Sequence, residues 1–268
     1  MQGHFFSISK MTLAILKIFT IPLLLWLVYE IARRFGPLIG GVVNGLPLIS
    51  GPITFYVALE QGVDFAQKTA LGAYPGQVTF VVFGLCYCYF GKRFHWLTTV
   101  LATLVVYAIV ALIMGHVSLP MGLWPVVGAL AILLGLALLP APIPNGRQMP
   151  TGQKSRPYLQ MVCGAALMLI ITSLATVVGP TFSGVLMFFP VIGGILGMFM
   201  LKGQFVNATI NLMKGTFLGM FTGWIFMLTL VVMLPRASLA LSFGLATLMA
   251  LALSVVFVLR TKAMTKKK

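Results

Sequence analysis

The stretch Gly36–Thr54, GPLIGGVVNGLPLISGPIT, returns 143 positions later as Gly179–Gly197, GPTFSGVLMFFPVIGGILG. The match continues without a gap to Phe83 and Phe226, and most of its identical positions are glycine or proline. These two residues set backbone geometry, because glycine tolerates conformations closed to other residues and proline removes a backbone donor. An internal repeat of this kind in an apolar chain is typical of transporter-like folds, whose site lies between the two halves.

The composition indicates a polytopic membrane protein. Of the 268 residues, 60% are hydrophobic and 8% are charged, and the mean hydropathy is +1.06. The net charge of +15 is spread between apolar spans rather than gathered on one soluble face, so nucleic acid is not an expected partner. Neither the three cysteines, which lie in apolar runs, nor the three scattered histidines show metal-ligand spacing, so we expect no metal and no cofactor.

Nine apolar stretches are long enough to cross a bilayer of ordinary thickness. They cover residues 11–30, 38–59, 69–91, 95–114, 122–139, 159–177, 181–201, 212–234 and 239–259. The first four map onto the last four under the offset of 143, and the fifth has no counterpart. One unpaired crossing after an even-numbered unit makes the second unit start from the opposite side. The predicted fold is therefore an all-α integral membrane protein with nine transmembrane helices as two inverted four-helix repeats (4+1+4).

This fold divides the chain into four parts. Residues 1–115 form the first repeat, and residues 116–158 hold the fifth crossing with a cytoplasmic loop rich in Pro and Gly. Residues 159–260 form the second repeat, and residues 261–268 form a basic cytoplasmic tail. With nine crossings, 14 of the 18 Lys and Arg residues fall on one side and 4 on the other. The positive-inside rule makes the richer side cytoplasmic, so the N-terminus is predicted outside and the C-terminus inside.

Matched proline and glycine interruptions in the second and seventh spans mark the candidate binding site. Proline ends or kinks a helix, and freed backbone amides and carbonyls near the midplane can then coordinate a substrate or an ion. Close helix packing through small residues explains the same pattern without a ligand. On the binding interpretation, the substrate-binding residues are Asn44, Pro47, Ser50, Gly51, Thr54, Pro190, Gly193 and Gly194.

Only three acidic residues occur in the chain. Glu30 stands next to two arginines at the end of the first span, which predicts a helix-end ion pair. Glu60 and Asp64 lie one turn apart at the outer junction of the second and third spans, with Lys68 one turn further on. If that segment is one helix, the three share a face, and Glu60 or Asp64 could be the proton-coupling group of a carrier. A solvated pair at the membrane surface is the alternative.

Parts of both halves resemble the GlpM-type bacterial inner-membrane proteins, which have about four helices. The second-half residues that carry the resemblance run from Gly184 to Pro190, through the polar turn Lys202–Asn211, and into Gly215–Met220. The first half contributes Gly45-Leu46-Pro47 and the stretch from Glu60 to Asp64. The resemblance implies a bacterial inner-membrane location and, through the family's link to exopolysaccharide production, a role at the cell envelope.

The leading functional hypothesis is a secondary transporter or flippase for a small molecule or a lipid-linked envelope precursor. It would not be an enzyme, and its partners would be the lipid bilayer, its substrate, and either a second copy or an envelope-assembly protein. A non-catalytic subunit of a machine that assembles envelope polysaccharide or lipid is the second hypothesis. An intramembrane enzyme acting on lipid is the third, and three peripheral acids with three scattered histidines make it the weakest.

Overall fold

The computed structural model describes residues 23, 26–48, 50–147, 162 and 179–266, and all regular structure among them is helical. Residues 26–35 are helical, and nine further helices follow. They are α1 Pro37–Asn44, α2 Ser50–Gln61, α3 Val63–Gly91, α4 Trp96–His116, α5 Leu123–Leu138, α6 Gly179–Leu186, α7 Val191–Lys202, α8 Val206–Met233 and α9 Leu239–Lys266. Five segments in this part of the chain are long and apolar enough to cross a membrane, and α5 is a shorter apolar helix. The prediction of an all-helical integral membrane protein is confirmed.

Helices α3 and α8 form the centre of the structure and run antiparallel to each other. Near the start of α3, Gln67 donates from Nε2 to the carbonyl oxygen of Val231 at 2.8 Å. Further along α3, the ring of Phe80 meets the ring of Phe217 at a centroid distance of 6.4 Å. Later residues of α3 therefore contact earlier residues of α8, as expected for antiparallel helices. Most residues of both helices are buried, since the other helices pack around this pair.

Helix α1 lies along α8 in the same direction, with the two backbones in direct contact. A Cβ atom on Gly41 would overlap the carbonyl oxygen of Leu212, and one on Gly215 would overlap the carbonyl oxygen of Leu38. One turn later, Gly219 meets the carbonyl oxygen of Val42 in the same way. Such close approach is open only to glycine, because any side chain would hold the backbones apart.

Helix α6 lies along α3 by the same contacts, shifted by 143 positions. A Cβ atom on Gly72 would stand 2.8 Å from the carbonyl oxygen of Thr181, and one on Gly76 would stand 3.0 Å from that of Val185. On α6 itself, Gly184 faces the backbone of Gly72. Each contact is the counterpart of one between α1 and α8. Helix α1 of the first half therefore packs in parallel on α8 of the second half, and α6 of the second half packs in parallel on α3 of the first.

Both predicted interruptions coincide with breaks between helices, and their backbones are bonded alike. In the first break the Leu48 amide donates to the carbonyl oxygen of Leu46 at 2.7 Å, and in the second Val191 donates to Phe189 at 2.7 Å. Pro190 has φ −75° and ψ 55°, the geometry of an inverse γ-turn. The next helix then begins with a hydrogen bond to the proline from the residue four positions later. In the second break, the Gly194 amide donates to the carbonyl oxygen of Pro190 at 2.9 Å.

Helix α5, which has no counterpart in the repeat, packs across both central helices. Gly128 of α5 lies against the side chains of Gln77 and Tyr74 of α3, and Gly135 lies against Phe217 of α8. The indole Nε1 of Trp224 donates to the carbonyl oxygen of Pro125 at 2.7 Å and fixes the start of α5 on α8. The unpaired helix thus joins the halves at their centre.

Several predicted boundaries differ from the observed ones. Spans predicted from 69 and 212 begin at Val63 and Val206, because a polar first turn belongs to each helix. The tail predicted at 261–268 is helical to Lys266, since lysine, alanine and methionine continue a helix readily. In the predicted loop 140–158, the side chain of Asn207 holds the backbone of Ile143 through two bonds of 2.8 and 2.9 Å. Of the predicted span 11–30, the structure describes residues 23 and 26–30, which are helical, and of the predicted span 159–177 it describes only residue 162.

We expect alanine at Gly41 or at Gly184 to destabilise the protein by about 1–3 kcal/mol, because the added methyl group forces two helix backbones apart. Thermal unfolding of the purified protein in detergent measures the effect. Gly244→Ala is the matched control, since open space surrounds that glycine and alanine favours a helix by about 1 kcal/mol. Equal stability of all three variants would contradict the glycine-mediated packing.

Candidate functional site

A cavity with a volume of about 60 Å³ lies between the two helix breaks, large enough for a few water molecules. Most of its wall is apolar, and we call it the polar cavity because the side chains of Asn44, Ser50 and Thr216 line it. Both breaks and both central helices contribute to its wall. The first break supplies Asn44, Gly45, Leu46, Leu48 and Ser50; the second supplies Met187, Phe188, Phe189, Pro190, Val191, Ile192 and Gly193; α3 and α8 supply Phe80, Thr216, Met220 and Gly223.

Four of the eight predicted binding residues line this cavity, namely Asn44, Ser50, Pro190 and Gly193. The structure therefore brings together residues that lie almost 150 positions apart in the chain. Thr54 does not line it: its hydroxyl is buried and donates to the carbonyl oxygen of Ser50 at 2.8 Å, so its partner lies within α2.

The other three predicted residues face elsewhere. Pro47 and Gly51 line a second, largely apolar crevice on the far side of the first break. Gly194 lies behind the polar cavity, where its carbonyl oxygen accepts a hydrogen bond from the Tyr87 hydroxyl at 3.0 Å. The predicted set is thus divided between a polar cavity, an apolar crevice and the packing around them.

Asn44 is the principal side-chain hydrogen-bonding group of the cavity wall. Its Nδ2 donates to the Thr216 hydroxyl oxygen at 3.1 Å, and that hydroxyl donates to the carbonyl oxygen of Leu212 at 2.9 Å. A Cβ atom on Gly193 would come within 2.9 Å of the same Nδ2, so the glycine leaves room for the amide. The matched position in the second half is Met187, which also lines the cavity. The site is therefore polar on one side and apolar on the other.

Helix ends converge on the cavity from both halves. Helix α1 ends at Asn44 and α6 ends at Leu186, while α2 begins at Ser50 and α7 begins at Val191. The first amides and last carbonyls of a helix lack partners within it and carry partial charges, positive at the start and negative at the end. In α7 these amides include that of Gly193, which lines the cavity. The site can therefore bind a small polar group through neutral dipoles, without a charged side chain.

Gln77, in the middle of α3, is a polar residue that the sequence analysis missed. It is fully buried, and neither Nε2 nor Oε1 of its side chain has a hydrogen-bond partner among the described residues. Leaving a buried amide unpaired costs about 1–3 kcal/mol. Gln77 lies one turn before Phe80, which lines the cavity, and its counterpart Met220 lines it too. The sequence does single out Gln77, because it is a lone amide side chain in an apolar span and the corresponding residue of the other half is methionine.

The predicted proton-coupling residues lie at the surface, outside the cavity wall. Glu60 and Asp64 are both exposed, and Gly62, with φ +89°, separates α2 from α3 between them. The single helical face expected for Glu60, Asp64 and Lys68 therefore does not form. Asp64 occupies the first turn of α3, where a negative charge interacts favourably with the start of the helix.

Glu30 forms the predicted ion pair at the end of the first helix. Arg33 donates from Nε to Oε2 of Glu30 at 2.9 Å, and Nε of Arg34 contacts the other carboxylate oxygen. This prediction is confirmed. With Glu30 held by its arginines, Glu60 and Asp64 are the acids that remain for coupling.

The chain matches no protein-family model, no curated protein and no solved structure. The resemblance to the GlpM-type proteins therefore stays a prediction that rests on the residues quoted for it.

We expect Gln77→Met to raise the thermal stability of the protein, by about 1–3 kcal/mol, because it removes an unpaired amide and keeps the side-chain volume. Gln67→Met is the matched control and should lower stability, since Gln67 makes a bond to Val231 that methionine cannot replace. Unfolding curves of both variants in detergent provide the test. Destabilisation by Gln77→Met would show that its amide is paired in solution.

Proposed function

We propose that the protein is a secondary carrier or flippase with two inverted four-helix repeats, working by alternating access. The observation that carries the proposal is the meeting of two matched helix breaks around one polar cavity. Carriers with inverted repeats bind substrate at such breaks, where half-helix ends replace the hydration of a polar group. The cavity lies between the halves, so movement of one half against the other can open it to either side.

The directions of the helix pairs support inversion of the second half. Helix α1 runs parallel to α8, α8 runs antiparallel to α3, and α3 runs parallel to α6. Helix α6 therefore runs opposite to α1, although the two occupy the same place in the repeat. Each contact between α1 and α8 also has a counterpart between α6 and α3, in which both residues are replaced by those 143 positions away. A two-fold axis in the membrane plane would relate the two halves in this way.

The distribution of basic residues supports the same topology. Nine crossings, with α5 as the unpaired one, place 14 of 18 Lys and Arg residues on the cytoplasmic side. The loop after α2 then faces outside, and the loop after α7 faces the cytoplasm. Glu60 and Asp64 stand at the outer surface in this arrangement, where external protons reach them directly, and we assign them to proton coupling. An inner-membrane carrier of a small molecule or lipid-linked envelope precursor fits these features.

The matched glutamines Gln61 and Gln204 test the inverted topology, since both are exposed and stand at the same point of the repeat. Each is replaced by cysteine in a chain whose Cys86, Cys88 and Cys163 are changed to alanine. In intact cells an impermeant maleimide should label Gln61→Cys, and it should label Gln204→Cys only after the membrane is opened. Labelling of both from the same side would rule out inversion.

Flux into proteoliposomes tests transport, with candidate metabolites and lipid-linked sugars offered under a proton gradient. We expect Asn44→Leu to reduce substrate flux about 5- to 150-fold, because one lost hydrogen bond to a bound polar group is worth about 1–3 kcal/mol. Thr229→Val is the control, since among the described residues that hydroxyl bonds within its own helix, to the carbonyl oxygen of Ile225 at 2.8 Å.

Two further variants locate the coupling group. Substrate-dependent proton flux abolished by Glu60→Gln or by Asp64→Asn identifies the acid that couples transport. Uncoupled transport in both variants would remove these acids from the mechanism while leaving the carrier intact. No flux of any candidate by folded protein would favour the second hypothesis, a non-catalytic subunit of an envelope-assembly machine, and partners would then be sought by co-purification.

A further inference from the structure

A largely apolar crevice with a volume of about 370 Å³ lies between the first helix break and helix α9. Pro47 and Gly51 form its wall on the side of the break, and Phe243, Thr247 and Ala250 form its wall on the side of α9. Its volume falls in the range of pockets that bind small ligands, roughly 300–1,000 Å³. The hydroxyl of Thr247 donates to the carbonyl oxygen of Phe243 within α9, so this polar group does not need a partner in the crevice.

The other half of the molecule fills the corresponding space with a tyrosine ring. Ala250 corresponds to Tyr107 under the offset of 143. The ring of Tyr107 packs on Phe189 at a centroid distance of 5.0 Å, and Phe189 corresponds to Leu46 of the crevice wall. The Tyr107 hydroxyl donates to the carbonyl oxygen of Val185 at 3.2 Å. Tyr107 and Ala250 are both buried, but the small side chain of Ala250 ends at the wall of the crevice, where a tyrosine ring would extend into it.

The helices around the two spaces are arranged to match. In the second space, helix α4, which carries Tyr107, packs against α7. The corresponding helices around the crevice are α9 and α2, and their backbones make little or no contact. They approach each other through side chains, as where the rings of Phe55 and Phe243 meet at 5.1 Å. The crevice is therefore an open gap between two helices whose counterparts are closed on each other.

The crevice shares a wall with the polar cavity. Leu46 and Leu48, in the first break, line both spaces. The two spaces are therefore neighbours separated by these leucines, and a molecule with a polar group beside Asn44 and a hydrocarbon chain beside Ala250 would occupy both once the two side chains turn aside. The polar cavity holds only a small group, so most of such a molecule would lie in the crevice.

The crevice opens on the face of α9 that points away from the protein. Thr247 and Leu251 of its wall are exposed, and neighbouring Leu248 is 65% exposed and Val255 57% exposed. In a membrane protein such a face contacts lipid chains. An occupant enters from the bilayer, and it gains packing and shape complementarity rather than escape from water, because lipid tails are as apolar as leucine.

We propose that the crevice binds the hydrocarbon chain of a membrane lipid, and that this lipid is the substrate whose polar group enters the cavity beside Asn44. The inference rests on the proposed carrier function and narrows it to lipids, which excludes water-soluble metabolites as substrates. Recognition then depends on chain packing against Ala250 and on neutral dipoles at the helix breaks.

Native mass spectrometry of the intact protein, released from mild detergent micelles, tests the site. Wild-type protein should retain one lipid per chain, and the bound mass distinguishes a phospholipid from an isoprenoid lipid. Ala250→Tyr places in the crevice the ring that Tyr107 places in the other half, and it should reduce lipid retention at least tenfold. Leu248→Tyr is the control, since it adds the same ring on the outer face, and it should retain lipid as wild type does. If Ala250→Tyr does not fold, Thr247→Trp blocks the same crevice from its rim.

Three results would overturn the proposal. One is wild-type protein without bound lipid, and another is equal retention by the blocked variants and the wild type. The third is cross-linking of a photoreactive residue at position 247 to residues 1–22 or to a second copy, which would show protein in the crevice.

Transport assays separate this inference from the carrier proposal. Flux of a water-soluble solute that Ala250→Tyr leaves unchanged would refute the lipid substrate and leave the carrier standing. Bound lipid in a protein that neither transports solutes nor moves fluorescent or isotopically labelled copies of that lipid across vesicles would refute the carrier, and with it the substrate role. Lipid movement abolished by Ala250→Tyr and kept by Leu248→Tyr would support both.

Discussion

The structure depends on direct backbone contact between α1 and α8 and between α6 and α3. Within a bilayer, helices gain little from burying apolar surface, so close packing and dipole interactions have to hold them together. Glycines at 41, 184 and 215 allow that contact, and each joins one half of the chain to the other. Because the broken helices are held in this way, their free ends are brought to a common centre instead of facing lipid, where unpaired backbone groups are not tolerated.

The halves share their packing but differ where a ligand could be held. Asn44 corresponds to Met187 in the wall of the polar cavity, Gln77 corresponds to Met220, and Tyr107 corresponds to Ala250. Duplication followed by divergence accounts for this pattern: shared glycines and prolines keep the frame, while each half is free to change single side chains. A strictly symmetric site would offer the same groups twice. Here the first half alone supplies the amide of Asn44, and Ala250 alone leaves an apolar crevice beside it. This asymmetry favours an amphiphilic ligand in a fixed orientation.

The helical character of the described part of the chain and the two breaks were predictable from the sequence, because long apolar runs favour helices and the repeat marks the glycines and prolines of each break twice. The starts of α3 and α8 were less accessible, since polar residues such as Gln67 lower the hydropathy of a turn that tertiary contacts keep helical. The sequence marks Gln77 as a lone amide in an apolar span, but whether its side chain finds a partner depends on which helices meet. The space beside Ala250 depends on the same contacts, and no local pattern carries that information. The same holds for the division of the predicted site, in which Pro47 and Pro190 face different spaces.

The absence of charge from the site constrains what it binds. Among the described residues, no acidic or basic side chain lines the polar cavity or the apolar crevice. An ionised group taken from water into such a place would need a paired charge, and helix-end dipoles supply only about half a unit charge each. A neutral polar group needs no more than the amides of α7 and the side chain of Asn44 provide. Under the proposed carrier function, the part of the substrate that enters the cavity would therefore be uncharged, and any ionised part would stay outside it, where basic residues of the loops and the helix ends are available.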